Sequence, residues 1–320
     1  MSGSSDAVGR RTPRRPGRVL RSVLATPPWP GTVERPVPLR NVGADYDTAW
    51  SRTPVARFAR AVIVDNVTRP VIRLVASPRV IGRELLEPLS GPVVFAANHS
   101  SHLDTAIVLS CLPPRFRHHA VVAAASDYFF DRRWKGGLWS LTLGTIPMER
   151  TRVNRRSADL AARLLDEGWS LVIFPEGGRS EDGWGQEFRG GAAYLAKRCG
   201  VPVVPVHLHG VRPILPKGGS RLRPGEVEVR FGTPLRPFVP GDAGGREEDA
   251  RRFSARLEQA VAALADEAES DWWSARRRAA LGITPDPRGP DAAPWRRAWD
   301  LPDSRRFRPA DPETELPAPW

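Results

Sequence analysis

Cysteine is scarce in this chain: Cys111 and Cys199 are the only two in 320 residues. Two thiols cannot build a disulfide framework, and a reducing compartment is the simpler expectation. No Cys/His cluster has the spacing of a metal site, so neither a metal nor a cofactor is expected. Long apolar runs are missing too. No segment approaches the roughly 18 apolar residues of a transmembrane helix, and the short run from Leu138 to Met148 reads as core. There is no Walker loop, zinc-finger spacing or basic-aromatic RNA motif, which removes nucleic acid from the expected partners. The Arg10-Arg11 and Arg14-Arg15 pairs lack the apolar stretch of an export signal, because Arg18, Arg21 and several prolines interrupt it. A cytoplasmic protein is expected, with any membrane association peripheral and on the inner face.

Positive charge is in excess. Lys and Arg number 48 against 36 Asp and Glu, a net charge of +12, and nearly all the basic residues are arginine. Such a balance suits anionic lipid or a phosphorylated substrate, although an arginine-rich codon bias leaves the same trace. With 26% charged and 41% hydrophobic residues the chain reads as globular.

Composition divides the chain into four parts. Residues 1–45 are set apart as a disordered basic arm, since positions 1–40 hold eight arginines and seven prolines against one aspartate and one glutamate. The arm is either a solvated tail or an electrostatic tether to anionic lipid. Residues 46–78 form an amphipathic helical segment. Val55, Phe58, Val62, Ile63, Val67, Val71, Leu74 and Val75 recur mostly every three or four positions, and Pro70 predicts a break or kink. The segment either packs on the domain that follows or lies on a bilayer with Arg57, Arg60, Arg69 and Arg73 toward the headgroups. Residues 79–275 alternate strand-like and helix-like stretches, which predicts an α/β fold: a mixed sheet with helices on both faces. Residues 276–320 are proline-rich without periodicity and are expected to be a disordered tail, its tryptophans the one feature suited to a membrane interface.

Two turns after apolar runs carry the chemistry. The first is Asn98-His99-Ser100-Ser101-His102-Leu103-Asp104, behind Val93 to Ala97. A carboxylate on one imidazole nitrogen would fix the tautomer and leave the other nitrogen to act as a base. The spacing alone also fits a plain first-turn helix acid beside a loop histidine. The second is Phe174-Pro175-Glu176-Gly177-Gly178-Arg179-Ser180, behind Leu171 to Ile173. Glycines permit close backbone approach, and an arginine fork matches phosphate. His102, His118, His119, His207 and His209 are read as structural or exposed.

Together these turns resemble the glycerophospholipid acyltransferase family, typified by lysophosphatidic acid acyltransferases. Its first motif, Asn-His-x4-Asp, matches Asn98, His99 and Asp104. Its third, Phe-Pro-Glu-Gly-(Thr or Ser)-Arg-Ser, matches Phe174 to Ser180 except that Gly178 stands at the hydroxyl position. The second motif resembles Gly144 to Arg150 and the fourth Val201 to Val206, in the family order. The resemblance spans roughly residues 80–235. It implies acyl transfer from a thioester, acyl-CoA or acyl-acyl carrier protein, to a lysophospholipid hydroxyl, with lysophosphatidate as the expected acceptor. His99 would be the base and Asp104 its orienting acid. Arg179, with Arg150 or Arg152, would hold the phosphate, Gly177 would belong to the substrate-binding turn, and Glu176 would order the loop or bind a glycerol hydroxyl. Backbone N–H groups near the helix start would stabilise the oxyanion. Another polar lipid as acceptor, a thioesterase, or a non-catalytic lipid- or acyl-carrier-binding protein are the alternatives.

Overall fold

The apolar runs become strands buried on both faces, as parallel sheets require. In the computed structural model, which describes residues 43, 45–149, 155–180, 182–216, 221–237 and 246–301, seven strands form one sheet. They are β1 (Pro78–Ile81), β2 (Val94–Ala97), β3 (Ala120–Ala125), β4 (Thr145–Met148), β5 (Ser170–Ile173), β6 (Val203–His209) and β7 (Val227–Phe231). Their order is β1-β7-β6-β2-β5-β3-β4. Every pairing is parallel except β6 with β7, so the sheet is mixed, as expected. Pro205, without an N–H to give, sits where the β6–β7 ladder stops at Val206↔Phe231 and the isolated bridge Val203↔Leu235 takes over.

Helices cover both faces. In chain order they are α1 (Pro54–Ile63), α2 (Arg69–Ala76), α3 (Asp104–Cys111), α4 (Pro114–Arg117), α5 (Ser126–Phe129), α6 (Arg133–Leu143), α7 (Arg155–Asp166), α8 (Gly191–Cys199), α9 (Val211–Ile214), α10 (Arg246–Glu269), α11 (Trp272–Leu281) and α12 (Pro294–Trp299). One core joins Ile72, Ile107, Val108 and Phe116 to Phe95 and Val172. The other packs Leu165, Leu195, Leu257 and Val261 against Val94, Leu171 and Val203. Strand β1 and the short helices α4, α5 and α9 carry no separate sequence signal and were not anticipated.

The amphipathic segment forms one helical run with a π-turn, Val64–Thr68, between α1 and α2. Pro70 has no N–H for the carbonyl of Asn66 and crowds it, so the ladder shifts and Arg69 N–H bonds Val64 O instead. The run packs on the domain through Ile72, Val75 and Ala76. Most of its apolar row points outward, with Val55 80% exposed, Phe58 72% and Leu74 79%, while Val75 of the same row is buried in the core. The arginines expected at headgroups mostly turn inward. Arg60 is buried and donates to the carbonyls of Ser51 (2.5 Å), Ser140 (3.0 Å) and Leu141 (3.0 Å). Arg57 lies over the Trp169 ring, and Arg69 pairs with Asp65. Three helix-end carbonyls need a donor with several N–H groups, and only a guanidinium supplies it.

The arm lies outside the described residues except Gly43 and Asp45. The C-terminal segment departs from a draped tail as far as Leu301. It forms α11 and α12, Arg278 pairs with Asp266, and Leu301 is 3% exposed. Hydrophobic periodicity misses this stretch because arginine forks and single glycines hold it, not an apolar stripe.

Arg60→Ala should cost about 2–3 kcal/mol, because three buried carbonyls lose a charged donor. Phe58→Ser, on the outward row, should change stability by less than about 0.5 kcal/mol. Urea unfolding of both variants checks the orientation of the helix; a larger loss for Phe58→Ser would reverse it.

Candidate active site

Strands β2 and β5 are parallel neighbours with Ala96 opposite Ile173, so the turns that follow them emerge side by side. Asn98 is clamped to β6 like an extra strand residue. Its Nδ2 donates to Leu208 O (3.1 Å), and its Oδ1 accepts from Leu208 N (2.7 Å). His99 comes next. Its Nδ1 lies 2.8 Å from Asp104 Oδ2, and its ring stacks on Phe174 at 4.2 Å and 24°. Asp104 is wholly buried at the first position of α3. The same Oδ2 accepts the N–H groups of Ser100 (2.7 Å) and Ser101 (2.9 Å). First-turn helix acid and histidine partner are therefore one residue. Those two N–H groups are committed to the carboxylate, which removes them from the expected oxyanion donors at the helix start.

The second turn is bound to the first in both directions. Glu176, 2% exposed, accepts the His99 N–H at 2.9 Å through Oε1, and Ser180 N–H donates to His99 O at 3.0 Å. Burial pushes the Glu176 carboxyl up to about 8, against the N–H of His99, which favours the charged form, and with the nearby Asp104 adding to the rise. Glu176 thus ties the second turn to the first. Gly177 has φ +73°, and a Cβ there would lie 2.7 Å from Arg189 Nε. At Gly178 a Cβ would meet nothing within 4 Å, so space does not demand the glycine that replaces the family hydroxyl residue.

A cavity of about 510 Å³ opens beside these turns. His99 and Arg179 line it together with the apolar Val122, Leu143, Ile173 and Leu195. Of the expected site residues the structure brings together His99, Asp104, Glu176, Gly177 and Arg179; Arg150 and Arg152 lie outside the described residues. His102 meets Tyr128, not Asp104: the rings stack at 5.2 Å and Nε2 lies 3.2 Å from the hydroxyl. Burial, then the charge of Arg179, pulls His102 down to about 4. Tyr128 also lies 5.9 Å from the Arg179 guanidinium, and nothing in the sequence around it flags the site. His118 pairs with Asp65, and His119 bonds Arg57.

The raised carboxyl gives a pH signature. Below about 4.5, the ordinary value, Glu176 is protonated folded or unfolded and costs nothing. Between there and about 8 the unfolded chain loses the proton while the folded one keeps it, so stability falls as pH rises. Glu176→Gln keeps an acceptor for His99 N–H without that loss. Its melting-temperature advantage over wild type should be absent at pH 4, grow between pH 5 and 8, and level off above. The upper limit is roughly 1.4 kcal/mol per pH unit. An advantage independent of pH would mean that the carboxyl is not held protonated.

Comparison with known proteins finds a family model and several relatives. Residues 77–209 match the family model described as Acyltransferase. A 1-acyl-sn-glycerol-3-phosphate acyltransferase of Chlamydomonas reinhardtii is 36% identical over 168 residues, 51% of this chain and 48% of that protein. A chloroplastic one of Arabidopsis thaliana is 33% identical over 159 residues, covering 48% and 42%. The chain thus spans about half the length of these curated relatives. The crystal structure of a 1-acyl-sn-glycerophosphate acyltransferase from Thermotoga maritima aligns over 63% of this chain and 80% of its own, at 23% identity and TM-score 0.47. The stretch that matches the Acyltransferase family model, residues 77–209, holds both the His99–Asp104 pair and the Phe174–Ser180 turn.

Proposed function

We propose that this chain transfers a fatty acyl group from an acyl thioester to the hydroxyl of a lysophospholipid, turning 1-acylglycerol-3-phosphate into phosphatidate. The reading rests on the 2.8 Å contact between His99 Nδ1 and buried Asp104, on the wall of a cleft that also holds Arg179. With Nδ1 engaged, Nε2 is the nitrogen left for a substrate. It takes the hydroxyl proton as the oxygen attacks the thioester carbonyl. The C–S bond of the tetrahedral intermediate then breaks, and the leaving sulfur takes the proton back from the imidazolium. Asp104 holds the tautomer and the positive charge. Such a base contributes about 10²–10⁴-fold, and alignment of the two substrates contributes the rest. Arg179 holds the acceptor phosphate as a fork. Acyl-CoA and acyl-acyl carrier protein present the same thioester.

The outward row of the α1–α2 run is the proposed seat on an anionic membrane at the inner face, where the acceptor resides. No described helix is long and apolar enough to cross a membrane. Each large apolar side chain moved from water into lipid is worth roughly 1.5–3 kcal/mol, and the arm adds charge attraction from its arginines.

Purified protein with labelled acyl thioester, with and without lysophosphatidate, separates transfer from hydrolysis and from mere binding. His99→Ala and Asp104→Asn should each lower kcat by about 10³-fold or more, and near-wild-type transfer by either removes the base assignment. Arg179→Lys should raise the acceptor KM strongly and the donor KM little. An equal loss with a phosphate-free alcohol would show that Arg179 does not hold phosphate.

The Phe58→Ser/Leu74→Ser pair should abolish sedimentation with anionic vesicles while leaving the unfolding midpoint in place. Deleting residues 1–40 should weaken the salt dependence of that binding. Unchanged sedimentation of the double variant would rule the row out as the seat.

A further inference from the structure

The turn that carries Arg179 is held from outside the matched domain. Residues 283–301 lie well beyond position 209, yet several of their contacts fall on residues 182–185. Arg297 is the centre of the arrangement. Its Nε donates to Asp182 Oδ2 at 2.8 Å, Nη1 to Pro290 O at 3.0 Å and Nη2 to Arg288 O at 2.9 Å. One guanidinium thus closes the 288–290 turn and fastens it to Asp182. Around it, Trp184 Nε1 donates to Arg297 O and Gly185 N to Pro287 O, each at 2.8 Å. The Trp184 indole covers Gly289 so closely that a Cβ there would come within 2.3 Å of the ring.

On its other side Asp182 organises the turn itself. Its Oδ1 accepts Trp184 N–H at 3.1 Å, while Gly183 N–H bonds Ser180 Oγ at 2.8 Å. Gln186 Nε2 donates to Arg179 O at 3.2 Å. Behind the turn is a cavity of about 50 Å³ bounded by Trp184, Gln186, His207 and Pro287. The tether therefore does what packed core does elsewhere.

We propose that Arg297, acting through Asp182, is a positioning residue for acceptor binding, a role that rests on the reading of Arg179 as the phosphate ligand. An arginine fork is selective only if its backbone is already placed. A loose turn must be ordered when the acceptor binds, and that ordering is subtracted from affinity. The donor, bound along the apolar cleft, does not meet this cost.

The test uses the full chain with Arg297→Ala, Asp182→Asn and both together. Initial rates are measured against an acyl-CoA and lysophosphatidate, and hydrogen exchange is followed in peptides covering 180–188. Arg297→Ala should raise the acceptor KM about tenfold and leave the donor KM within about twofold, with faster exchange in 180–188. Asp182→Asn keeps the Oδ1 contacts within the turn but loses the ion pair, and should do the same. The double variant should be no worse than Arg297→Ala alone, because that variant has already lost the contact that Asp182→Asn removes. Equal rises in both KM values, a lowered kcat at unchanged KM, or multiplying effects would overturn the proposal. If Arg297→Ala does not fold, Arg297→Lys retains the charge without the fork, and an acceptor KM equal to wild type would overturn it. Should the wild type acylate no lysophosphatidate, the functional reading fails by itself. Exchange in 180–188 still decides the tether, and unchanged exchange in Arg297→Ala would refute it.

Discussion

The parallel pairing of β2 with β5 is the contact on which the site depends. The chain leaves β2 through α3 on one face of the sheet and leaves β5 toward α8 on the other. A crevice opens where the two connections part, at the carboxyl ends of the strands. Everything with chemical potential is delivered there by two short turns. His99 N–H to Glu176 and Ser180 N–H to His99 O then cross between them, so neither turn can shift alone. A histidine from one motif and an arginine from another share a cleft because β2 and β5, paired 77 residues apart, lie side by side.

Much of this was legible from residues alone, for a physical reason. Buried parallel strands must be apolar on both faces, so Val93 to Ala97 and Leu171 to Ile173 announce themselves, and a His-x4-Asp spacing closes on itself within one helix start. What stayed hidden depends on distant partners. Asn98 is clamped by Leu208, 110 positions away, and Tyr128 acquires its place only when His102 arrives beside it. The first helical run shows a subtler limit. Periodicity reveals that one stripe is apolar, but it carries no sign saying whether that stripe meets core or lipid. Here Ala56, Arg60, Val64, Ile72 and Val75 face in, while Val55, Phe58, Val67 and Leu74 face out.

By composition, the arginine excess suits an outward field. Part of it is spent inside. Arg60 covers three carbonyls, Arg117 bonds that of Leu112, and partly buried Arg297 bonds two more in the C-terminal segment. A planar group with five N–H donors can finish several chain ends at once, where an ammonium would remain a hydrated point charge. Structural and surface roles of arginine are therefore indistinguishable by composition.

The π-turn at Val64–Thr68 sets the rotational phase of the outward row. Val55, Phe58 and Val62 follow ordinary helical steps, as do Val67, Val71 and Leu74, but five residues separate Val62 from Val67. In an unbroken α-helix that extra residue would turn the second half by roughly 100°, carrying Leu74 around the side and bringing Ile72 out of the core. The wider turn absorbs it. Pro70, which reads as a helix breaker, works as a phase corrector that lets two half-helices present one plane.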